Sequence, residues 1–240
     1  METQALSSLV DRVIAIAGAG GNLGPTVVQR LAPTGARLAL AGREKASLDA
    51  LAAEAGAEAD TASVDLLNAA AARTWAQEIA ERHGRVDALV HLVGGWRGGK
   101  PIEEAPLEDW EFLHDLLIRT VQHATQAFAA HLLESGRGRF VIVSSSQGQA
   151  PTHTNAAYAA AKAAAESWTL ALANRFRGSG ATANIVVVGS IVTPAMRQES
   201  PDEDFSTFTP AEEIAEAVAY LCSDAAASMN GQRLTLRGAG

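Results

Sequence analysis

Short apolar runs alternate along the chain with longer segments whose apolar positions recur every three or four residues. Arg12–Ala17, Ala36–Ala41, Thr61–Val64, Val86–Val93, Gly138–Ser144, Thr182–Val188 and Gln232–Arg237 predict strands. Several are apolar at successive rather than alternate positions, as strands buried on both faces of a parallel sheet are. Between them, Asn22–Leu31, Glu44–Ala55, Asn68–His83, Glu103–Glu134, Asn155–Phe176 and Pro210–Cys222 carry helical spacing. Repeated strand–helix alternation predicts βαβ units and an α/β fold: a doubly wound, seven-stranded parallel sheet with helices on both faces. The alternation runs the whole length, so residues 1–240 read as one domain. Two conspicuous loops, Gly94–Pro101 and Arg197–Thr209, each follow a strand at its C-terminal end, where open α/β sheets bind ligands.

Composition narrows the class of partner. The formal charge is −8, which argues against nucleic acid or an anionic membrane surface as the main partner. Hydrophobic residues make up 48% and charged residues 19%, so a disordered chain is not expected. A single cysteine, Cys222, excludes an internal disulfide framework and a cysteine metal cage. The six histidines show no i, i+4 pairing, and no metal site is expected. No apolar run approaches the ~18 residues of a membrane span. Met1–Ser8 lacks both a basic region and a long apolar region, so no signal peptide is read there. The expectation is a soluble, cytoplasmic protein.

The first strand runs into Gly18-Ala19-Gly20-Gly21-Asn22-Leu23-Gly24 and then a helical pattern. Glycines there permit a tight turn, close approach of a pyrophosphate and close helix–strand packing, and the helix start offers unpaired N–H groups. A plain βα turn uses glycine too, but the position after the first strand favours a nucleotide site. Gly94-x4-Gly99-Lys100 imitates a phosphate-binding loop, yet Pro101 stands where a Mg²⁺-binding hydroxyl is needed, so it reads as a flexible loop. The second strand ends in Ala41-Gly42 without a carboxylate, and Arg43 follows. An arginine there suits a 2′-phosphate, giving NADP(H) over NAD(H), against the alternative of a solvated helix-start arginine.

Tyr158 and Lys162 lie four apart in a helical stretch, on one face. Bringing a phenol from its usual pKa of about 10 to near 7 takes about 4 kcal/mol, much of which a close ammonium can supply. The spacing alone fits a chance surface pair equally well. No Gly-x-Ser-x-Gly occurs, which counts against a serine hydrolase despite Ser144–Ser146.

Taken in order, the glycine loop, Ser145 thirteen residues before Tyr158, and Tyr158-x3-Lys162 resemble the short-chain dehydrogenase/reductase family. The likeness runs from Val13 to Gly238. Ser63-Val64-Asp65-Leu66, Asn184–Gly189 followed by Thr193-Pro194, Leu221–Ala226 and Asn230-Gly231-Gln232 extend it. It implies a Rossmann-like domain that moves a hydride between NAD(P)(H) and a carbonyl or alcohol. Tyr158 would be the proton donor or acceptor, Lys162 would tune it and bind the nicotinamide ribose, and Ser145 would hold the substrate oxygen. Gly18, Gly20, Gly21, Asn22, Leu23, Gly24, Arg43, Asp65, Leu66, Gly94, Gly189, Ile191 and Thr193 would hold the cofactor together with Tyr158 and Lys162. Asp65 matches the adenine-contacting aspartate, and Thr193 with the backbone near Ile191 the carboxamide turn. Trp96, Gln147, Gln149, His153 and Met196 fall where the family lines its substrate pocket, although packing or loop roles fit each as well.

The chain departs from the family pattern at Asn22 in the glycine loop, at His91-Leu92-Val93-Gly94 for Asn-Asn-Ala-Gly, and at Val188-Gly189 for Pro-Gly. Leu117 stands where the family carries an active-site Asn that helps pass protons to the lysine; direct solvent access through the Lys162 side would replace that route, with His114, on roughly the same helix face, as a second candidate. His91 reads as a strand-end histidine with local hydrogen bonds. The expectation is an NADP(H)-dependent carbonyl reductase or alcohol dehydrogenase, a homotetramer or dimer, acting on a small molecule. A dinucleotide-binding sensor or scaffold, and a lyase or epimerase on the same framework, stay open.

Overall fold

The computed structural model describes residues 9–57 and 59–238; the Met1–Ser8 stretch read for a leader lies outside them. Strands β1 (Val13–Ala17), β2 (Arg37–Gly42), β3 (Ala59–Ser63), β4 (Ala88–His91), β5 (Arg139–Ser145), β6 (Thr182–Val188) and β9 (Arg233–Thr235) form one sheet. Their order is β3-β2-β1-β4-β5-β6-β9, and every pairing is parallel. The order reverses between β1 and β4, so their C-terminal ends open a crevice at the switch point. Register fixes what stands there: Ala17 opposes Ala41 and His91, and Ser145 opposes Val188.

All residues of β1, β4 and β6 are buried, because helices cover both faces. Helices α1 (Gly24–Leu31), α2 (Lys45–Glu54) and α8 (Ala211–Cys222) bury Val27, Leu48 and Ile214 against one face. Helices α3 (Ala69–His83), α5 (Thr120–Glu134) and α6 (Ala156–Arg175) bury Trp75, Phe128 and Ala165 against the other. Local chemistry sets the ends. Asn68 caps α3 by accepting from Ala70 N at 2.9 Å and Ala71 N at 3.2 Å. Gly84, at φ 73°, ends it in a left-handed turn.

The long helix expected over Glu103–Glu134 is divided. Pro106, at ψ 136°, delays its start, so α4 spans Leu107–His114. A π-helical turn, Asp115–Arg119, then joins α4 to α5, with Thr120 N–H bonding to the Asp115 carbonyl. The Arg197–Thr209 loop is also partly ordered. Helix α7 (Pro194–Glu199) takes up its start, and β8 (Thr209–Pro210) pairs with β7 (Ile191–Val192) at its end. Short strands at either end of a loop pair only in three dimensions, and no local period announces them.

At the opposite, N-terminal edge of the sheet, Arg12 and Arg139 are almost fully buried beside Asp224. Arg12 donates to the Arg137 carbonyl at 3.1 Å. Arg139 donates to the carbonyls of Ser223, Gly138 and Gly180 at 3.2, 2.9 and 2.9 Å. Burial pushes the neighbouring Cys222 thiol up to about 12, which makes it unreactive. Among the described residues, no helix is long and apolar enough to cross a membrane.

Candidate active site

The glycine turn is dictated by contact. Gly18 sits at φ 81°, where a Cβ would lie 2.8 Å from the Val93 backbone nitrogen, and a Cβ at Gly24 would collide with the Ala19 carbonyl. Neither position tolerates a side chain, so β1 and α1 pack closely. Gly20, Gly21 and Asn22 are exposed on the rim of the turn, and Leu23 is buried beneath it. Helix α1 starts at Leu23 with Pro25 in its first turn and no side-chain cap, leaving backbone N–H groups for an anion. Such a cradle fits a dinucleotide pyrophosphate.

Further round the same edge, Arg43 is exposed beyond β2, and its carbonyl accepts from Ser63 Oγ at 2.8 Å. Asp65 Oδ1 accepts from Leu67 N at 2.9 Å, and the buried Leu66 is fixed by its carbonyl's contact with His123 Nδ1 at 2.9 Å. Gly94 and Gly189 are exposed at the ends of the β4 and β6 connections, and Ile191 is half-buried. Thr193 is buried and caps α7, its Oγ1 accepting from Met196 N at 3.2 Å.

Ser145 ends β5, and Tyr158 and Lys162 follow on successive turns of α6. Ser145, whose Oγ accepts from Gln147 N at 3.2 Å, is the polar side chain that acts on the Tyr158 phenol. Lys162 Nζ lies 5.7 Å from the Tyr158 ring centre and donates to the Val143 carbonyl at 3.0 Å. Burial raises the Tyr158 pKa above its ordinary value, with Ser145 opposing. The i, i+4 spacing of Tyr158 and Lys162 predicts a lowered phenol; burial instead favours its protonated form. Burial pushes Lys162 down to about 8, and the Glu166 charge resists that.

Glu166, one turn beyond Lys162, escaped the sequence reading. It is buried and accepts from Ser144 Oγ at 2.6 Å, Arg233 Nε at 2.6 Å and Gln149 Nε2 at 3.4 Å. Its i, i+4 spacing from Lys162 was the available signal.

Of the residues expected to line the pocket, Gln147 is tied down, its Oε1 accepting from Asn155 Nδ2 at 2.7 Å. Trp96 and His153 are exposed and Met196 is half-buried. Leu117 is buried in an apolar cluster with Leu113, Ile118 and Ala161, against which Tyr158 packs. His114 turns instead to Asp115, its Nδ1 3.3 Å from the carboxylate, and stacks near Trp110. His91 is buried on β4 and contacts Thr120 Oγ1 at 3.2 Å. Among the described residues, no group of three or more His, Cys, Asp or Glu side chains could hold a metal ion.

A family model described as short chain dehydrogenase matches residues 12–204. The chain belongs to that family. Its members are NAD(P)-dependent oxidoreductases that interconvert CH–OH and C=O groups, and this chain is one of them. The gluconate 5-dehydrogenase of Gluconobacter oxydans (strain 621H) is 31% identical, over 93% of this chain and 92% of its own. The 3-oxoacyl-(acyl-carrier-protein) reductase of Escherichia coli (strain K12) is 26% identical, over 95% and 96%. A solved 3-ketoacyl-(acyl-carrier-protein) reductase from Brucella melitensis, complexed with NADH, superposes with a TM-score of 0.86 at 25% identity, over 96% of this chain and 98% of its own. The family's fold binds a nicotinamide dinucleotide.

Proposed function

We propose that this chain is an NADP(H)-dependent reductase of a small carbonyl compound, running in reverse as an alcohol dehydrogenase, with Ser145, Tyr158 and Lys162 as its site. The observation that carries the reading is Tyr158 with the buried Lys162 one turn further along α6, its Nζ 5.7 Å from the ring centre, and Ser145 at the end of β5 acting on the same phenol. When bound, the nicotinamide supplies or accepts the hydride. The chain supplies the rest. Tyr158 Oη gives a proton to the carbonyl oxygen, which Ser145 Oγ holds in place. A phenol kept protonated by burial suits the direction of reduction. The Lys162 ammonium steadies the phenolate that forms.

Arg43, exposed where the second strand ends without a carboxylate, supports the 2′-phosphate reading. Arg43→Ala is expected to weaken NADPH roughly 10–150-fold, as loss of a charge-assisted hydrogen bond does, and NADH little. Equal losses in titrations with both cofactors would refute the preference. We read residues 1–240 as one dinucleotide-binding domain, working in the cytoplasm. Leu107, Trp110, Phe112 and Trp168 leave apolar area uncovered on the α4 and α6 side, which supports a homotetramer or dimer. Light scattering that finds only the 24.9 kDa monomer at micromolar concentration would exclude both.

The rival reading, a sensor that binds the dinucleotide without turnover, draws on the hydrocarbon that Leu117 places beside Tyr158. A panel of ketones and aldehydes, followed by loss of NADPH absorbance, separates the two. Consumption with at least one carbonyl is expected. Tight NADPH binding with no consumption across the panel would favour the sensor.

A further inference from the structure

At the C-terminal end of β4, donors and acceptors balance except at one nitrogen. Thr120 Oγ1 donates to the Leu116 carbonyl at 2.6 Å, which commits its one hydrogen. The same oxygen lies 3.2 Å from His91 Nε2. In that contact the imidazole has to be the donor, so the ring is the Nε2–H tautomer. Nδ1 is then a bare lone pair, enclosed and without a hydrogen-bond partner among the described residues. Burial, reinforced by the Lys162 charge, holds the ring's pKa down at about 3, so the imidazole is neutral at physiological pH.

His91 shares its sheet face with Lys162. Its register partners, Ala17 and Ile142, belong to the face covered by α3, α5 and α6. Lys162 reaches over that face to the Val143 carbonyl, one residue past Ile142. The titratable and charged groups around Lys162 are Tyr158 one turn before it, Glu166 one turn after it with Arg233 bound behind, and His91 from β4. The Leu117 flank offers only hydrocarbon. An unpaired buried acceptor is destabilising, and a buried water stays where it finds two or more polar partners. Lys162 has three donor hydrogens, one of them on Val143.

We propose that His91 is a positioning residue: its Nδ1 accepts a hydrogen bond from a water that the Lys162 ammonium also holds, and protons reach Lys162 and Tyr158 from solvent through that water. The proposal rests on the reductase reading above. Each reduction removes one proton from Tyr158 Oη, and the phenolate recovers one from the Lys162 side. The anchored water passes one proton on and receives one from bulk water. His91 keeps its own proton throughout, so its part is to hold the water that the hydrocarbon side chain of Leu117 does not hold.

Nitrogen NMR of the wild-type, cofactor-free protein labelled at histidine tests the anchor directly, with His91→Asn assigning the signal. A protonated Nε2 and a hydrogen-bonded, unprotonated Nδ1 are expected, with no titration across neutral pH. An Nδ1–H tautomer, or an Nδ1 with the shift of a nitrogen free of hydrogen bonds, overturns it. In kinetics, His91→Leu is expected to lower kcat for carbonyl reduction about tenfold or more, within the range that positioned proton-transfer groups contribute. Its solvent deuterium effect should grow while NADPH affinity stays put, and His91→Asn, which keeps an acceptor oxygen, should recover most of the loss. A folded His91→Leu with wild-type turnover and isotope effect overturns the role. If His91→Leu does not fold, the NMR result on the wild-type protein decides. A protein that consumes NADPH with no carbonyl sinks the reductase reading and not the anchor, which the NMR result judges alone.

Discussion

The two ends of the central sheet each bury cations, and they treat them differently. At the N-terminal edge, Arg12 and Arg139 meet Asp224 and four backbone carbonyls. At the C-terminal edge, Lys162 is also buried but donates to one carbonyl in the structure, and His91 beside it keeps a bare nitrogen. Satisfied donors hold a structure together and have little capacity left for chemistry. Incompletely satisfied ones are held by the surrounding packing and stay available to a substrate, a cofactor or a water. The contrast locates reactivity at the strand ends around the switch point, where an open sheet has room for a ligand.

The largest effect expected from breaking this contrast is at Tyr158. Tyr158→Phe keeps the ring against Leu117 and removes only the proton donor. Turnover is expected to fall by about 10²–10⁴, the usual worth of general acid catalysis, with cofactor affinity nearly unchanged. A variant that keeps more than about a tenth of wild-type kcat has its proton donor elsewhere.

Arg139→Met asks the same question of the other end. It strips a donor from the Ser223 and Gly180 carbonyls and one partner from Asp224, while the Gly138 carbonyl keeps the Thr182 N–H. Denaturation is expected to show a loss of about 3 kcal/mol, since each buried group left unpaired costs about 1–3 kcal/mol and the half-exposed Asp224 rehydrates. Turnover per folded molecule should hold. A fall in kcat without a fall in stability would mean that the two ends are coupled through β5.

How much of this was legible beforehand follows the same divide. The sheet was readable because its strands are continuous apolar runs, and Thr182–Val188 matches its strand at both ends. The glycine turn was readable because Gly18 and Gly24 meet constraints from residues close in sequence or in the next strand. Tyr158 and Lys162 share one helix, so spacing alone gave their common face. The π-helical turn left no trace in the Glu103–Glu134 pattern, because Asp115–Arg119 keeps an apolar rhythm through it. The state of His91 depends on Thr120, 29 residues away, and on Lys162 from another helix. Glu166 was passed over because a glutamate in an Ala-rich helix ordinarily reads as solvated, and only Ser144 and Arg233 from β5 and β9 give it a buried role.

The smallest expected effect is also the sharpest test of how the functional end is tuned. Burial sets Lys162 at about 8, and the Glu166 carboxylate is what keeps it from falling further. Reduction needs the ammonium, so kcat/KM should fall as pH rises through about 8. Tyr158, raised above its ordinary value, stays protonated across that range and does not set the limb. Glu166→Gln removes the opposing negative charge, and the Arg233 guanidinium it leaves behind repels the ammonium. Both changes disfavour protonated Lys162, so the limb should move down by about one pH unit, or about 1.4 kcal/mol of differential interaction. Stability carries an independent sign. A lysine with a depressed folded pKa binds its proton less readily than in the unfolded chain, so stability rises with pH between about 8 and the ordinary 10.5. Glu166→Gln should extend that rise to lower pH in the same measurement. An unmoved limb with an unmoved stability profile would mean that Glu166 serves only Arg233 and Ser144, and that Lys162 is tuned by burial alone.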